Sequence, residues 1–438
     1  MPHAYRPIVY NVAPLLLAAR APALRGVERV DFGCISYLLD HWPADVVGLL
    51  PTVFGMRFYS RERIQAARRR LIGLWREEGD RASDPVYELV ADALLGKVSA
   101  PPRPSRRVDV SKAIPMPRGW GRVVDLLFSD GFGLGTAVDE APQHALYLDI
   151  GHMGIVRSAM LGWLRRRPDI DPIFMVHDAI PFEAPELLHP RAVRLQRKVF
   201  KLVARFASGV IVPCEAMNAP VGKHLYRYGE RNIPVRAIPL PIDGHFSREV
   251  QPDPVLAKVP FLVACGVLER RKNQLFLLHV WRELIARLGP EAPYLVLAGR
   301  KGFGSEELLD QLQRSEVLRD RVVLAKGLSS ASLARLMASA RGVLMPSFTE
   351  GFGLPPIEAL SVGTPVILSD IPAHRDAAGP YGMFLHPLDA PAWIEAIESL
   401  LSDEQLATRR QAIDGFTTRR WPDYMSDFNQ VLQEFSNS

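Results

Sequence analysis

The chain of 438 residues alternates short apolar, β-rich runs with longer stretches in which apolar residues recur at helical spacing. In the first half the runs are Ile8 to Val12, Val46 to Leu50, Val123 to Phe128, His144 to Ile150, Ile173 to Val176, Gly209 to Pro213 and Val235 to Ile238. Between most of them lie amphipathic segments such as Val27 to Leu39 and Met153 to Arg166. Alternation of this kind predicts a parallel sheet covered by helices on both faces. The Pro-rich stretch Pro101 to Pro117 interrupts the pattern and reads as an exposed excursion. A second Pro-rich passage, with Pro239, Pro241, Pro252 and Pro254, marks a boundary, after which the alternation restarts. Phe261 to Cys265, Tyr294 to Ala298, Arg321 to Leu324, Gly342 to Met345 and Val366 to Leu368 read as buried strands, with a helix over Asn273 to Leu288.

The expected architecture is α/β, two doubly wound domains facing a cleft. Residues 1–245 form the first domain and 255–421 the second, with a C-terminal helix at 422–438 packing back on the first. In such sheets ligands bind beyond the carboxyl ends of the strands. The loops after Cys265, Ala298, Leu324 and Met345 are therefore expected to line the cleft.

Composition narrows the class. With 48% hydrophobic and 23% charged residues, the chain matches a globular protein. No apolar run approaches the roughly 18 residues of a membrane span, and the opening segment lacks the basic leader of a secretion signal. Cys34, Cys214 and Cys265 have no metal-ligand or disulfide-framework spacing and read as packing thiols of a cytoplasmic protein. Charge is uneven. Residues 1–250 carry 34 Lys and Arg against 26 Asp and Glu, and the remainder 19 against 22. The basic excess gathers at Arg61 to Arg76, Trp163 to Arg167 and Arg194 to Arg205, interleaved with Trp, Leu and Phe. Such segments serve either as docking faces for an anionic membrane or as solvated helix faces. No nucleic-acid-binding pattern accompanies them, so a nucleic-acid partner is not expected.

The most informative string is Met345 to Val366, MPSFTEGFGLPPIEALSVGTPV. A strand runs into Glu350, Gly351, Phe352, Gly353 and Leu354, and a helix opens at Pro355 and Pro356. Proline is tolerated in a helix's first turn, where its missing N–H would be unpaired anyway. Glycines before that turn let backbone N–H groups approach an anion, and the helix end adds about half a positive charge. Glu358, one turn inside, is placed to accept hydrogen bonds from a ribose diol. Glu350 lies at the mouth. Gly266 to Asn273, GVLERRKN, follows a strand and carries Arg270, Arg271 and Lys272, cations suited to a departing diphosphate. Met175 to Pro181, MVHDAIP, places His177 and Asp178 at a strand end; a lone His there is either a packing residue or a functional one.

These strings resemble retaining glycosyltransferases of family 4, which have the GT-B fold of two Rossmann-like domains. Glu350 and Glu358 match that family's E-x7-E, preceded by Pro-Ser and followed by Glu-Ala-Leu and Gly-Thr-Pro-Val. The resemblance is motif-specific mainly from Gly266 to Val366. It implies that Glu350 lies by the donor sugar, that Glu358 holds the ribose, and that His177 faces the donor sugar with Asp178 orienting it. Many members carry Arg directly after the Gly where this chain has Val267, which leaves Arg270 and Arg271 as alternatives for the diphosphate. RGVERV at Arg25 to Val30 resembles a flexible turn of related enzymes, in which Gly26 and Arg29 meet acceptor or phosphates; an ordinary helix start fits equally. The loops with Gly299, Arg300 and Lys326 are expected to border the base. The catalytic set is thus His177, Glu350, Arg271 and Lys272.

The resemblance implies transfer of a hexose, with retention, from a nucleotide-sugar donor to a glycan acceptor, without a cofactor or metal. The HDAIP and ERRKN forms point to mannosyltransferase-like members and GDP-mannose; UDP-glucose, dTDP-rhamnose, and an epimerase or phosphorylase activity remain open. The basic first half suggests a lipid-linked acceptor at the inner face of the cell membrane, as in bacterial exopolysaccharide or lipopolysaccharide synthesis. Asp169 and Asp171 form a D-x-D, but Pro168 precedes them and the strand follows, so no metal site is expected. Gly131, Gly133 and Gly135 lack dinucleotide-binding spacing.

Overall fold

The computed structural model describes residues 5–18, 26–52, 55–79, 84–97, 141–151 and 161–437. Val123 to Phe128, Pro101 to Pro117, the glycines of 131–135 and most of Met153 to Arg166 lie outside them. Thirteen strands are described: β1 Ile8–Asn11, β2 Val46–Thr52, β3 Gly55–Tyr59, β4 Leu146–Asp149, β5 Asp171–Met175, β6 Gly209–Val212, β7 Val235–Ala237, β8 Phe261–Cys265, β9 Tyr294–Ala298, β10 Val322–Ala325, β11 Gly342–Met345, β12 Val366–Ser369 and β13 Met383–Leu385. They form two sheets, ordered β3-β2-β1-β4-β5-β6-β7 and β10-β9-β8-β11-β12-β13. Both are parallel, except that β3 pairs antiparallel with β2 at the edge of the first. That edge departs from the all-parallel expectation: β2 and β3 are separated by two residues in sequence, a spacing that only antiparallel neighbours allow.

The longer helices used below are α1 Val27–His41, α2 Arg61–Gly79, α3 Pro85–Leu94, α4 Pro190–Phe206, α5 Asn218–Gly229, α6 Gln274–Leu288, α7 Leu354–Ser361, α8 Pro372–Ala378 and α9 Trp421–Asn437. Central strands are buried on both faces, which is why they read as continuous apolar runs. Tyr10, Phe174, Trp281 and Trp393 are fully buried; truncating any of them to Ala should cost about 3–5 kcal/mol.

The second domain returns to the first through α9. The Trp421 ring lies against Gly33, where a Cβ would collide with it. Further along, Asn429 Nδ2 donates to Tyr37 Oη at 3.2 Å, and the Phe435 ring covers Gly209. A second clasp joins the domains through Asp84. Its Oδ1 caps α3 by accepting from Val86 N–H at 3.0 Å, while Oδ2 accepts from Ser329 N–H at 2.9 Å.

In two of the basic segments some of the arginines serve internal structure, while Arg63, Arg69, Arg165 and Arg166 are exposed. Arg61 donates to the carbonyls of Leu38, Trp42 and Ala44, and Arg68 makes a two-pronged bond to Asp40 at 2.7 Å. Gly162–Arg166 is a 3-10 helix with Trp163 and Leu164 buried, and Arg167 follows as its C-cap. Its Arg167 grips Asp169 and the Ala141 and Pro142 carbonyls. Arg194 to Arg205, in α4, does present a charged outer face.

Candidate functional site

In the second sheet the strand order reverses between β8 and β11, so their carboxyl ends open a crevice. The loops leaving those ends carry Gly266 to Asn273 and Pro346 to Gly353. Close packing holds the first loop: a Cβ on Gly299 would run into the Gly266 carbonyl, and Leu268 N–H donates to Arg300 O at 2.8 Å. Arg270 turns outward, its guanidinium 5.2 Å above the Phe303 ring. Arg271 turns inward. It donates to Thr349 O at 3.0 Å, to Glu269 and to Glu350 Oε2. Phe348 N–H donates back to Arg271 O at 2.9 Å, tying the two loops together.

Glu350 is the centre of this cluster. Its side chain is 6% exposed, Lys272 Nζ lies 2.5 Å from Oε1, and Ser347 Oγ donates to the same oxygen at 2.8 Å. Burial alone would push its carboxyl upward, but Lys272 and Arg271 outweigh that and hold it well below the usual range. Glu350 is therefore a fixed anion between two cations.

The helix α7 follows at once. Gly353 takes φ +100° as its N-cap, a conformation side chains disfavour. Pro355 and Pro356 occupy the first turn, and the helix starts at Leu354, one residue before Pro355. Phe352 is buried beneath the loop. Glu358 lies one turn in, buried, with Arg29 Nη2 of the first domain 3.1 Å from its carboxylate. Burial raises the Glu358 carboxyl and Arg29 opposes the rise. Arg29 also reaches Asp243 at 3.4 Å. Gly26 caps α1 beside it, and a hollow of about 240 Å³ lies there, lined by Gly26, Arg29, Phe32, Asp243, Leu354 and Trp421.

Across the cleft, His177 and Asp178 follow the end of β5 at Met175. His177 Nε2 is 2.8 Å from Ile150 O; because a carbonyl only accepts, that nitrogen carries the proton. Asp178 Oδ1 accepts from Ile180 N–H at 3.1 Å and starts the next turn, so this bond goes to the backbone and not to the imidazole. Gly351 brings the domains together: a Cβ there would strike the His177 carbonyl oxygen, and Cys214 Sγ donates to Gly351 O at 3.3 Å. Arg300 and Lys326 are exposed on the same sheet edge as Gly266, after β9 and β10.

Several polar groups at this cleft escaped the sequence reading. Asn11 at the end of β1 donates to Asp149 at the end of β4 at 2.9 Å, and both are buried. Asp31 accepts from Tyr10 Oη at 2.8 Å. His374 of α8 is fully buried behind Gly353. The signal for the first two is position, a polar residue ending a strand beside the reversal of strand order. Among the described residues no group of three His, Cys, Asp or Glu is arranged to hold a metal ion. Asp169 is held by Arg167 and Asp171 by Arg6 at 2.7 Å.

Comparison with known proteins agrees with this layout. Residues 248–414 match the model of the family Glycosyl transferases group 1. The chain is 30% identical over 143 residues to the O-antigen chain mannosyltransferase RfbU of Salmonella typhimurium, covering 33% of this chain and 37% of that protein. To the O-antigen chain mannosyltransferase B of Escherichia coli it is 32% identical over 159 residues, covering 35% and 41%. The matches thus span well under half the length of these relatives. Among solved structures, Anabaena HepE in complex with UDP superposes with a TM-score of 0.55 at 16% identity, over 98% of this chain and 99% of that one. The fold is GT-B, two Rossmann-like domains facing a cleft. Among the described residues no helix is long and apolar enough to cross a membrane.

Proposed function

We propose that this chain is a retaining, family 4 glycosyltransferase that moves a hexose, mannose from GDP-mannose foremost, to a hydroxyl of a lipid-linked glycan in bacterial surface polysaccharide synthesis. The observation that carries the reading is the Glu350 carboxylate, ionised between Arg271 and Lys272 at the N-terminus of α7 and apposed through Gly351 to the His177 segment. The similarity to two O-antigen mannosyltransferases supports the choice of sugar.

In this reading the donor's diphosphate lies against Arg271, Lys272 and the first amides of α7. Its ribose diol takes the Glu358 carboxylate in place of Arg29, and its hexose sits between Glu350 and His177. The bond from the anomeric carbon to the phosphate oxygen breaks, the bond to the acceptor oxygen forms on the same face, and the acceptor's proton passes to the departing diphosphate. Two fixed cations and a helix end stabilise the charge on that leaving group where a metal would otherwise be required, so activity should survive chelation. Closure of the domains excludes water and protects the donor from hydrolysis.

The acceptor reading draws on α4. Its outer face presents Arg191, Arg194, Lys198, Lys201 and Arg205 around the exposed Leu195, a pattern suited to an anionic, cytoplasmic membrane surface. His189, just before α4, lies 5.1 Å from the Phe303 ring of the second domain, so this face borders the cleft mouth.

The test is thermal stabilisation by GDP-mannose, UDP-glucose and dTDP-rhamnose, with Glu358→Ala alongside. A donor at 100 times its dissociation constant adds about 2.7 kcal/mol. A shift with one donor, lost in the variant, supports the reading; no shift with any of them overturns it. The configuration of the product's anomeric carbon then decides retention.

A further inference from the structure

One titratable group in the crevice has no place in the reaction just described. His374 is fully buried on α8, which packs on α7. Its Nδ1 is 2.9 Å from Ser369 O; the carbonyl can only accept, so Nδ1 holds the proton and Nε2 has a bare lone pair. That Nε2 is buried without a hydrogen-bond partner. A buried, unsatisfied nitrogen costs about 1–3 kcal/mol, and such exceptions in a packed core ask for a reason. The ring edge bearing Nε2 lies behind the cradle, with Cδ2 3.4 Å from the point where Gly353 would carry a Cβ. From there it feels the charges of Glu350, Lys272 and Arg271. On its own helix the neighbouring charges are engaged elsewhere: Arg375 pairs with Asp370, and Asp376 accepts from Ala216 N–H at 2.7 Å across the domain boundary.

Charge balance assigns the imidazole a task. In the unliganded cluster Arg271 and Lys272 pair with Glu269 and Glu350, and the Asp178 carboxyl of the first domain also acts on Arg271. A sugar nucleotide's diphosphate brings two further negative charges to the same two cations. As they turn to the phosphates, Glu350 is left as a buried carboxylate with weakened compensation, which is costly. We propose that His374 is a positioning residue that takes a proton from solvent on Nε2 when the donor binds, and so keeps Glu350 ionised and in place.

This inference rests on the donor reading above. Its direction follows from the surroundings. In the unliganded protein burial disfavours the imidazolium most, Glu350 and the bond to Ser369 favour it, and Lys272 and then Arg271 disfavour it, the balance lying on the neutral side. A diphosphate cancels the two cations and leaves Glu350, so the proton affinity of His374 rises on binding. Donor binding then takes up a proton, and by linkage it strengthens as pH falls. One fully coupled proton gives about tenfold in affinity per pH unit.

The experiment is calorimetric titration of the full chain with GDP-mannose and with UDP-glucose, near neutral pH, in buffers of different ionisation enthalpy. Their diphosphates are diesters with no oxygen titrating in this range, so a proton taken up belongs to the protein. The expected result is uptake approaching one proton per nucleotide in the wild type. In His374→Asn, whose amide can keep the bond to the Ser369 carbonyl, the sugar nucleotide still binds but the uptake is gone. Binding without proton uptake in the wild type, or uptake that persists in the variant, overturns the proposal. Absence of binding by any sugar nucleotide is a distinct outcome that removes the donor reading and this inference with it.

Discussion

Arg29 and Glu358, 329 residues apart, form an ion pair at 3.1 Å that joins the first domain to the second. Arg29 is 23% exposed and Glu358 3%, so the pair lies between surface and core. Removing Arg29 strands a buried carboxylate, for which a cost of about 3 kcal/mol is expected at neutral pH. The sign with pH follows. Burial already raises the Glu358 carboxyl, and without Arg29 it rises further, so the group takes a proton as pH falls and the penalty fades. Arg29→Met should therefore lower the melting temperature more at mildly alkaline pH than at mildly acidic pH. Equal losses at both would show that the pair carries no charge coupling.

For Glu350 the arrangement separates binding from chemistry. Glu350→Gln removes the anion that Arg271 and Lys272 share and leaves Arg271 paired with Glu269 alone, so both cations turn more readily to a diphosphate. Nucleotide affinity should hold or increase while kcat falls by about 10²–10³-fold, a typical loss for one preorganised electrostatic group. Calorimetry for binding and product formation for kcat decide it; parallel losses in both would place Glu350 among the binding groups alone.

Gly351 offers a steric test of domain closure. Any Cβ there meets the His177 carbonyl oxygen, a backbone atom that cannot rotate away. Gly351→Ala should hold the domains apart, widen the particle in small-angle scattering, and lower stability by about 1–3 kcal/mol. Donor binding, centred on Lys272 and Glu358 in the second domain, should survive while turnover drops at least tenfold. Unchanged scattering and turnover would mean that the contact is not needed.

Much of the second domain was legible because its strands are buried on both faces and so stand out as unbroken apolar runs. The edge strands β3 and β13 were missed: GMRFY carries an Arg, and MFL has only three residues. The Glu350 to Glu358 string could be read locally, since glycines and prolines mark a strand-to-helix turn whatever surrounds it. The partners of those glutamates could not, because Arg29 reaches Glu358 only through the docking of two domains. Basic residues misled for the same reason. Arg61 and Arg167 look like surface charge in sequence, yet each spends its guanidinium on backbone carbonyls that tertiary structure brings near. His374 is a lone histidine in a short helix, and only the packing of α8 on α7 buries it.

Asp31 is a case in which the pattern held a warning. It falls on the buried stripe of α1 with Val30, Cys34, Ile35 and Leu38, where a charged residue has no ordinary place. Burial pushes its carboxyl up to about 8, while the Tyr10 hydroxyl works against the rise. In the unfolded chain the group titrates near 4. Between those values the folded protein keeps a proton that the unfolded chain has lost, so this group's contribution to stability is full below about pH 4 and declines as pH rises towards 8. The slope from one such group is at most about 1.4 kcal/mol per pH unit. Asp31→Asn keeps the shape and removes the titration. Its melting temperature should exceed that of the wild type at pH near 8 and approach it at acidic pH, flattening the profile between. A gain that is the same at every pH would show that Asp31 is not the titrating group.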